Sequence, residues 1–440
     1  MNKLPYAIIG AGPSGLAGAR NLQKYGIPFV GFEAHSDVGG LWDINNPRST
    51  VYQTAHLISS KKMTEFREFP MAESVADYPS HGELRKYFSD FATHFGLSEH
   101  FRFNTKVASV EPDGDHWQLT TENGERHTFA GIIIANGTLA EPKIPQIPGN
   151  FSGEIFHSSK YKSPRIFEGK RVLIVGAGNS GCDIAVDAVH HAKSVAISVR
   201  RGYHFVPKYV LGKPADTMGG LFKLPPRLKQ MADGFILKFF TGDPEKFGFP
   251  KPDHRIYESH PIVNSLVLYH IGHGDISVKS DIARLDGDSV VFTDGTAEAF
   301  DLVLLATGYK LHYPFIDRNL LNWQGDHPGL YLHIFHPERD NLFVLGMLEA
   351  AGLGWQGRYD QAELMARFIR ASAENHASAT QFRRDKQNIN IDLSGGYNYM
   401  KLERMSFYVH KDTYLKVLHK HLRQFANVLP LPEKSAVLSG

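Results

Sequence analysis

The stretch Tyr6–Glu33, YAIIGAGPSGLAGARNLQKYGIPFVGFE, decides the fold. Tyr6–Ile9 is a short apolar run of the kind a buried strand needs. Gly10, Gly12 and Gly15 follow in G-x-G-x-x-G spacing, with Pro13 and Ser14 between them. A helix then puts Leu16, Ala19 and Leu22 on one face, and Phe29–Glu33 reads as a second strand. Strand, glycine turn, helix, strand is the plan of a dinucleotide-binding unit. The glycines let the backbone approach a pyrophosphate. The helix start offers free N–H groups and a partial positive charge to it. Glu33 stands 23 residues after Gly10, at the end of the next strand. A carboxylate there accepts hydrogen bonds from a ribose hydroxyl and repels a 2′-phosphate. The first unit is therefore expected to hold an unphosphorylated adenosine, as in FAD or NAD.

The same plan returns in Gly169–Arg201, GKRVLIVGAGNSGCDIAVDAVHHAKSVAISVRR. Gly176, Gly178 and Gly181 carry the spacing, with Asn179 and Ser180 inside the turn. Here the residue at the end of the second strand is Arg200, 24 positions after Gly176, with Arg201 beside it. Guanidinium groups match a phosphate bidentately, so this unit is expected to take NADPH. Arginines favour the 2′-phosphate without excluding its absence, so tolerance of NADH stays open. Two further buried strands end in glycine, GIIIANGT before Leu139 and DLVLLATGY before Lys310. Each follows a hairpin-like region with an Asn-Gly or Asp-Gly turn. The fold class expected is α/β with two Rossmann-like dinucleotide-binding domains. Such a pair implies an electron relay from NADPH to a flavin.

The remaining sequence narrows the function. The chain of 440 residues has a net charge of +2, giving no bulk electrostatic case for nucleic acid or an anionic membrane. One cysteine, Cys182, excludes an internal disulfide and a redox cysteine pair, and a cytoplasmic setting is the expectation. No apolar run reaches the roughly 18 residues of a membrane helix, and no secretory leader is expected. His254, His260, His270 and His273 lack pairing with a carboxylate at helical spacing, so no metal is expected. Gly212–Pro261 reads as helices and loops whose aromatic content is compatible with a homodimer. After Gly308, GLYLHIF and NLFVLG read as short strands. Asp360–Asn375 and Lys411–Phe425 read as helices.

Between the two units lies FSGEIFHSSKY, with Phe151, Gly153, His157 and Tyr161 at fixed offsets. This F-x-G-x-x-x-H-x-x-x-Y resembles the fingerprint of flavin-containing monooxygenases, the class B flavoprotein monooxygenases of bacterial type. GGLW at Gly39–Trp42, FNTKV at Phe103–Val107, GNSGCDIA, SVRRG and LATGY are similar to further segments of that family. The resemblance implies a glutathione-reductase-like architecture. Residues 1–165 and 301–440 would form the FAD domain, with an NADPH domain, 166–300, inserted between them. It implies FAD contacts at Gly40, Leu41, Trp42 and Val107, and an NADP contact at Tyr52. It also implies the activity: NADPH reduces FAD, oxygen adds at the flavin C4a carbon, and an amine nitrogen or sulfide sulfur takes one oxygen atom. Baeyer–Villiger relatives carry Trp where Tyr161 stands, and an uncoupled NADPH oxidase is the other alternative. One position departs from the pattern. Many members place Asn near the flavin where VYQTAHLISSKK has Ile58, leaving His56, Ser59 or Ser60 to take its role.

Overall fold

In the computed structural model, which describes residues 4–217 and 225–432, two five-stranded parallel sheets form the frame. The first runs in spatial order Leu342–Val344, Gly131–Ile134, Tyr6–Ile9, Phe29–Phe32 and Phe101–Arg102. The second runs Glu154–His157, Leu302–Leu305, Arg171–Val175, Ser194–Ser198 and Ile276–Lys279. Each central strand feeds a glycine turn and a helix, Pro13–Lys24 in the first and Asn179–Val189 in the second. In both sheets the chain crosses to one side of the central strand and later returns to the other. A crevice therefore opens at the carboxyl end of that strand, the switch point where doubly wound sheets bind ligands.

The two turns are geometric copies. Gly10 and Gly176 have φ of 108° and 102°, conformations that favour glycine. A Cβ on Gly10 would come 2.6 Å from the Ala135 carbonyl oxygen, and one on Gly176 would come 2.7 Å from that of Ala306. A Cβ on Gly15 or Gly181 would lie 1.9 Å from the oxygen of Gly10 or Gly176. No side chain fits there, so the helix presses directly on its strand.

The expected hairpins are present at His116–Thr121 with Arg126–Phe129 and at Ser289–Phe292 with Ala297–Ala299. Trp117, Leu119 and Phe129 bury the first against Ile132 and Ile134. Val290, Phe292 and Phe300 bury the second against Leu173 and Val303. The second sheet is wider than the expected 166–300. Its edge strand begins at Glu154 and a central one ends at Leu305, because both add a parallel ladder to the same core. GLYLHIF is not a strand. Leu332 and His333 adopt φ of 53° and 58°, and the segment turns back so that Tyr331 N–H bonds the Phe335 carbonyl at 2.9 Å. NLFVLG does supply the edge strand Leu342–Val344. The helix expected from Asp360 starts earlier, at Gly354, and the tail helix spans Lys411–Gln424. Of the region Gly212–Pro261, the helix Pro226–Thr241 is described, and 218–224 lie outside the described residues, as do 433–440. No helix among the described residues is long and apolar enough to cross a membrane.

Three buried histidines have values far below the ordinary one. Burial holds His333 at about 3 and His260 and His336 at about 4. The native state therefore binds fewer protons than the unfolded chain below pH ~6.5, and stability falls as pH drops through that window. Each histidine contributes a slope of at most about 1.4 kcal/mol per pH unit. Urea unfolding at pH 7, 6, 5 and 4.5 is expected to show a progressive loss beginning near pH 6.5. A flat profile down to pH 4.5 would contradict the burial of these rings as neutral groups.

Candidate functional site

A single cavity of about 1480 Å³ extends from the first glycine turn to the second. On the first side it is lined by Gly10, Gly12, Pro13, Ser14, Glu33, Gly40, Leu41, Trp42 and Val107. Gly15 stands behind this wall, against the oxygen of Gly10. Pro13 occupies the first helical turn and Gly12, at the N-cap, offers no capping side chain. The helix's N-terminal end thus opens on the cavity without a side-chain cap. Gly12 and Gly40 face each other so closely that a Cβ on Gly40 would lie 3.0 Å from the Gly12 Cα. The Glu33 carboxylate is 8 % exposed and accepts hydrogen bonds from the Ala11 N–H at 2.7 Å and the His35 N–H at 2.8 Å. A bare glycine cradle, a helix start and an adjacent anchored carboxylate fit a dinucleotide with free ribose hydroxyls.

On the second side Gly178, Asn179, Ser180 and Gly181 line the same cavity, and Gly176 lies behind them. The Asn179 side chain is taken up by the chain itself. Its Oδ1 accepts from the Val263 N–H at 2.7 Å and its Nδ2 donates to the Pro261 carbonyl at 3.3 Å. Its backbone remains for a ligand. Arg200 and Arg201 do not line the cavity. Arg200 is exposed and has no protein partner among the described residues, while Arg201 sits 5.5 Å from the Tyr203 ring. Cys182 is buried, its thiol pushed up by burial and directed at the Ala177 carbonyl, which suits packing rather than reactivity.

The connector Phe151–Tyr161 acts as a bolt. A Cβ on Gly153 would come 2.5 Å from the Asp301 oxygen, so the strand passes tight against the end of the second sheet. Phe151 packs on the hairpin core that contains Leu285 and Val290. His157, 3 % exposed, accepts the Ser159 N–H at Nδ1 and therefore donates from Nε2 to the Gly308 carbonyl at 3.0 Å. Its ring meets Tyr309 edge-on at 5.1 Å. Tyr161 is fully buried, stacks on Phe167 and donates to Asp187 at 2.8 Å. Tyr52 lines the cavity and donates to Asp183 at 3.2 Å, and Thr54 also bonds Asp187. Burial raises both carboxyls. None of the four fingerprint residues lines the cavity. Of the four, Tyr161 joins the segment around Tyr52 to the helix of the second turn, its ring 5.2 Å from that of Tyr52 and its hydroxyl on Asp187.

His56, Ile58 and Ser59 line the cavity and Ser60 does not. His56 Nδ1 donates to the Thr54 carbonyl at 2.8 Å, and the Ser59 hydroxyl pairs with that of Thr64 at 2.9 Å. The Ser60 hydroxyl is buried without a partner, and its N–H bonds Asp216 at 2.7 Å. No carboxamide from this segment enters the cavity. The segment is held by the start of the helix His81–His94. There His81 N–H bonds the Ala55 carbonyl and Leu57 N–H bonds that of Pro79. Ser80 and Glu83 form a reciprocal capping box at that start.

Sequence reasoning missed the far end of the cavity, which is lined by Tyr257, His260, Glu349, Arg358, Tyr397, Tyr399, Arg404 and Tyr408. Trp355 also lines the cavity and meets Trp42 edge-on at 5.9 Å. The aromatic spacing Tyr397, Tyr399, Tyr408 was the one signal available, and nothing in it pointed to a site.

A model of the flavin-binding monooxygenase-like family matches residues 3–390. The chain belongs to that family. Flavin-containing monooxygenase 3 of Canis lupus familiaris is 34% identical over 373 residues, covering 79% of this chain and 70% of the relative. Dimethylaniline monooxygenase [N-oxide-forming] 2 of Pan troglodytes is 33% identical over 391 residues, covering 82% and 72%. Among solved structures, cyclohexanone monooxygenase from Rhodococcus sp. Phi1 bound to NADP⁺ superposes with a TM-score of 0.71 at 18% identity, over 97% of each chain. The chain is thus a flavin monooxygenase that uses FAD and NADPH. In this monooxygenase the capping box stabilises the helix start that holds the His56–Ser59 wall. Ser80→Ala is expected to lower stability by about 1 kcal/mol in urea unfolding. A loss under ~0.3 kcal/mol would show that the box is not formed.

Proposed function

We propose that FAD lies along the first turn, NADPH along the second, and that the monooxygenase oxygenates soft nucleophiles, an amine nitrogen or a sulfide sulfur. The observation that carries this is the single cavity lined by both glycine turns. The backbone at Gly10–Ser14 would cradle the FAD pyrophosphate and Glu33 a ribose hydroxyl. Gly178–Gly181 would cradle the second pyrophosphate, and Arg200 and Arg201 would meet the 2′-phosphate. A flavin held there would supply activation of molecular oxygen, with NADPH as the electron source, so that one oxygen atom can accept a lone pair and the other leaves as water. The chain's part is to hold two cofactors and the nucleophile together and to keep water out. Leu41, Trp42, Ile58 and Trp355 give the cavity an apolar wall suited to that exclusion. No general base is required, since the nucleophile brings its own electron pair.

Amine and sulfide oxygenation is favoured over Baeyer–Villiger chemistry by Tyr161, where ketone-oxidising relatives carry Trp. An oxidase that consumes NADPH without product is favoured only by Ile58, which offers no hydrogen bond. Assays of a sulfide, a tertiary amine and a cyclic ketone side by side test the reading, and ketone-only turnover would overturn it. Two variants sharpen it. Arg200→Gln with Arg201→Gln is expected to raise KM for NADPH about 10- to 100-fold, the loss of one to two charge-assisted bonds, and to leave KM for NADH within about twofold. An unchanged NADPH:NADH ratio would remove these arginines from the site. Ile58→Asn is expected to raise oxygenated product per NADPH and to lower peroxide release. No change in that ratio would show that position 58 does not govern coupling.

A further inference from the structure

The far end of the cavity has its own chemistry. Tyr257, Tyr397, Tyr399 and Tyr408 line it together with Glu349, Arg358 and Arg404. Three of the tyrosines and Arg404 come from one loop, Leu393–His410, closed at its neck by the His410 N–H on the Leu393 carbonyl at 2.8 Å. The loop is pinned on two sides. Met400 N–H bonds the Glu258 carbonyl and Val409 N–H bonds the Glu349 carbonyl, each at 2.9 Å. Tyr257 is held at φ 74°, a strained conformation for a tyrosine, with its hydroxyl on Asp233 at 2.6 Å. Strain of this kind is kept where the surroundings fix a side chain in place.

The charges do not cancel. Glu349 accepts from Arg404 Nη2 at 3.0 Å. Burial pushes its carboxyl up, but Arg404, with help from Arg358, outweighs this and holds it below the ordinary range. Arg358 spends Nη1 and Nη2 on the Gly354 and Leu348 carbonyls at 2.8 and 3.1 Å. One carboxylate thus faces two guanidiniums. Burial and the Arg404 charge hold His260 neutral, at about 4. At the rim Lys411 and Lys416 outnumber Asp412, and Lys229 is spent on Asp233. Among the described residues Arg404 uses only Nη2 on the protein, and its side chain is 49% exposed. Its other donors are left for a ligand in the cavity it lines.

This end is close to the cofactor cradle. A Cβ on Gly346 would lie 2.3 Å from the Ser14 hydroxyl, and Glu349 is three residues further on. Three residues span at most about 11 Å. Arg404, paired with Glu349, and the first turn line the same cavity, so a molecule held at Arg404 shares that space with the cofactor cradle.

Resting on the monooxygenase reading above, we propose that the substrate is a soft nucleophile that also carries a carboxylate, held by Arg404 beside the tyrosines that line the cavity there. The guanidinium pairs with the carboxylate and the rings cover the carbon chain. The excess positive charge rejects a cationic amine at this end.

The test uses 4-(methylthio)butanoate, its neutral amide, and the corresponding amine. Each is titrated calorimetrically into the oxidised holoenzyme with NADP⁺ present. The carboxylate is expected to bind about 10- to 100-fold more tightly than the amide. Arg404→Gln should bring that ratio close to one, and Arg404→Lys should keep part of it. Equal binding of acid and amide, preference for the amine, or an Arg404→Gln ratio equal to wild type would each overturn the proposal. Sulfoxide formation is assayed in parallel. Charge-selective binding without sulfoxide would break the oxygenation reading and leave the carboxylate site standing.

Discussion

Everything in this molecule hangs on a contact that only glycine permits. The Gly15 and Gly181 Cα atoms press on the carbonyl oxygens of Gly10 and Gly176, where a Cβ would have 1.9 Å of room. That pressure aims each helix start at the crevice beside its own strand. It also brings the backbone, rather than side chains, to the cavity surface. An anion is then met by N–H groups and by the helix dipole, which need no reorganisation when it arrives. Because both turns obey the same constraint, the two crevices open alike. The connecting segments then only have to turn them toward one another.

That turning is the work of the connector. His157 ties the start of the second unit to Gly308, and Tyr161 ties it to the Asn179–Val189 helix through Asp187. Tyr52 and Thr54 reach the same helix from the first unit, through Asp183 and Asp187. Hydroxyl donors and buried carboxylates make an arrangement whose partners are fixed in number and direction, unlike apolar packing. The cost is visible in the raised carboxyl values, since burial disfavours both charges. Fingerprint residues that never touch the cavity still set the relative placing of the two cradles that line it.

What the sequence made legible was local. The glycine spacing, the residue ending the next strand, and the Asn-Gly and Asp-Gly hairpins are each set within about thirty positions. GLYLHIF misled because its apolar character mimics a strand. The left-handed Leu332 and His333 fold it back instead, and no glycine or proline marked that bend. The edge strand Glu154–His157 was hidden because it is partly exposed and polar at its start. The far pocket was invisible for another reason. Tyr257, Glu349 and Arg404 come from three distant segments, brought together by the backbone bonds of the loop Leu393–His410, the Arg404–Glu349 pair and the Tyr257–Tyr397 ring contact.

The two nucleotide positions differ in more than charge. Glu33 is buried, and both of its oxygens are already engaged by the Ala11 and His35 N–H groups. Its place is fixed before any ligand arrives, so little ordering entropy is lost on binding. Arg200 is exposed, has no partner among the described residues and lies outside the cavity wall. In the proposed role it would have to be ordered to meet a phosphate, with an attraction weakened by solvent and salt. A preorganised acid suits a resident flavin that stays through many turnovers. An exposed cation at the surface suits a nicotinamide dinucleotide that arrives, gives up its hydride and must be able to leave. The electrostatic asymmetry read from Glu33 and Arg200 is thus also an asymmetry of exchange.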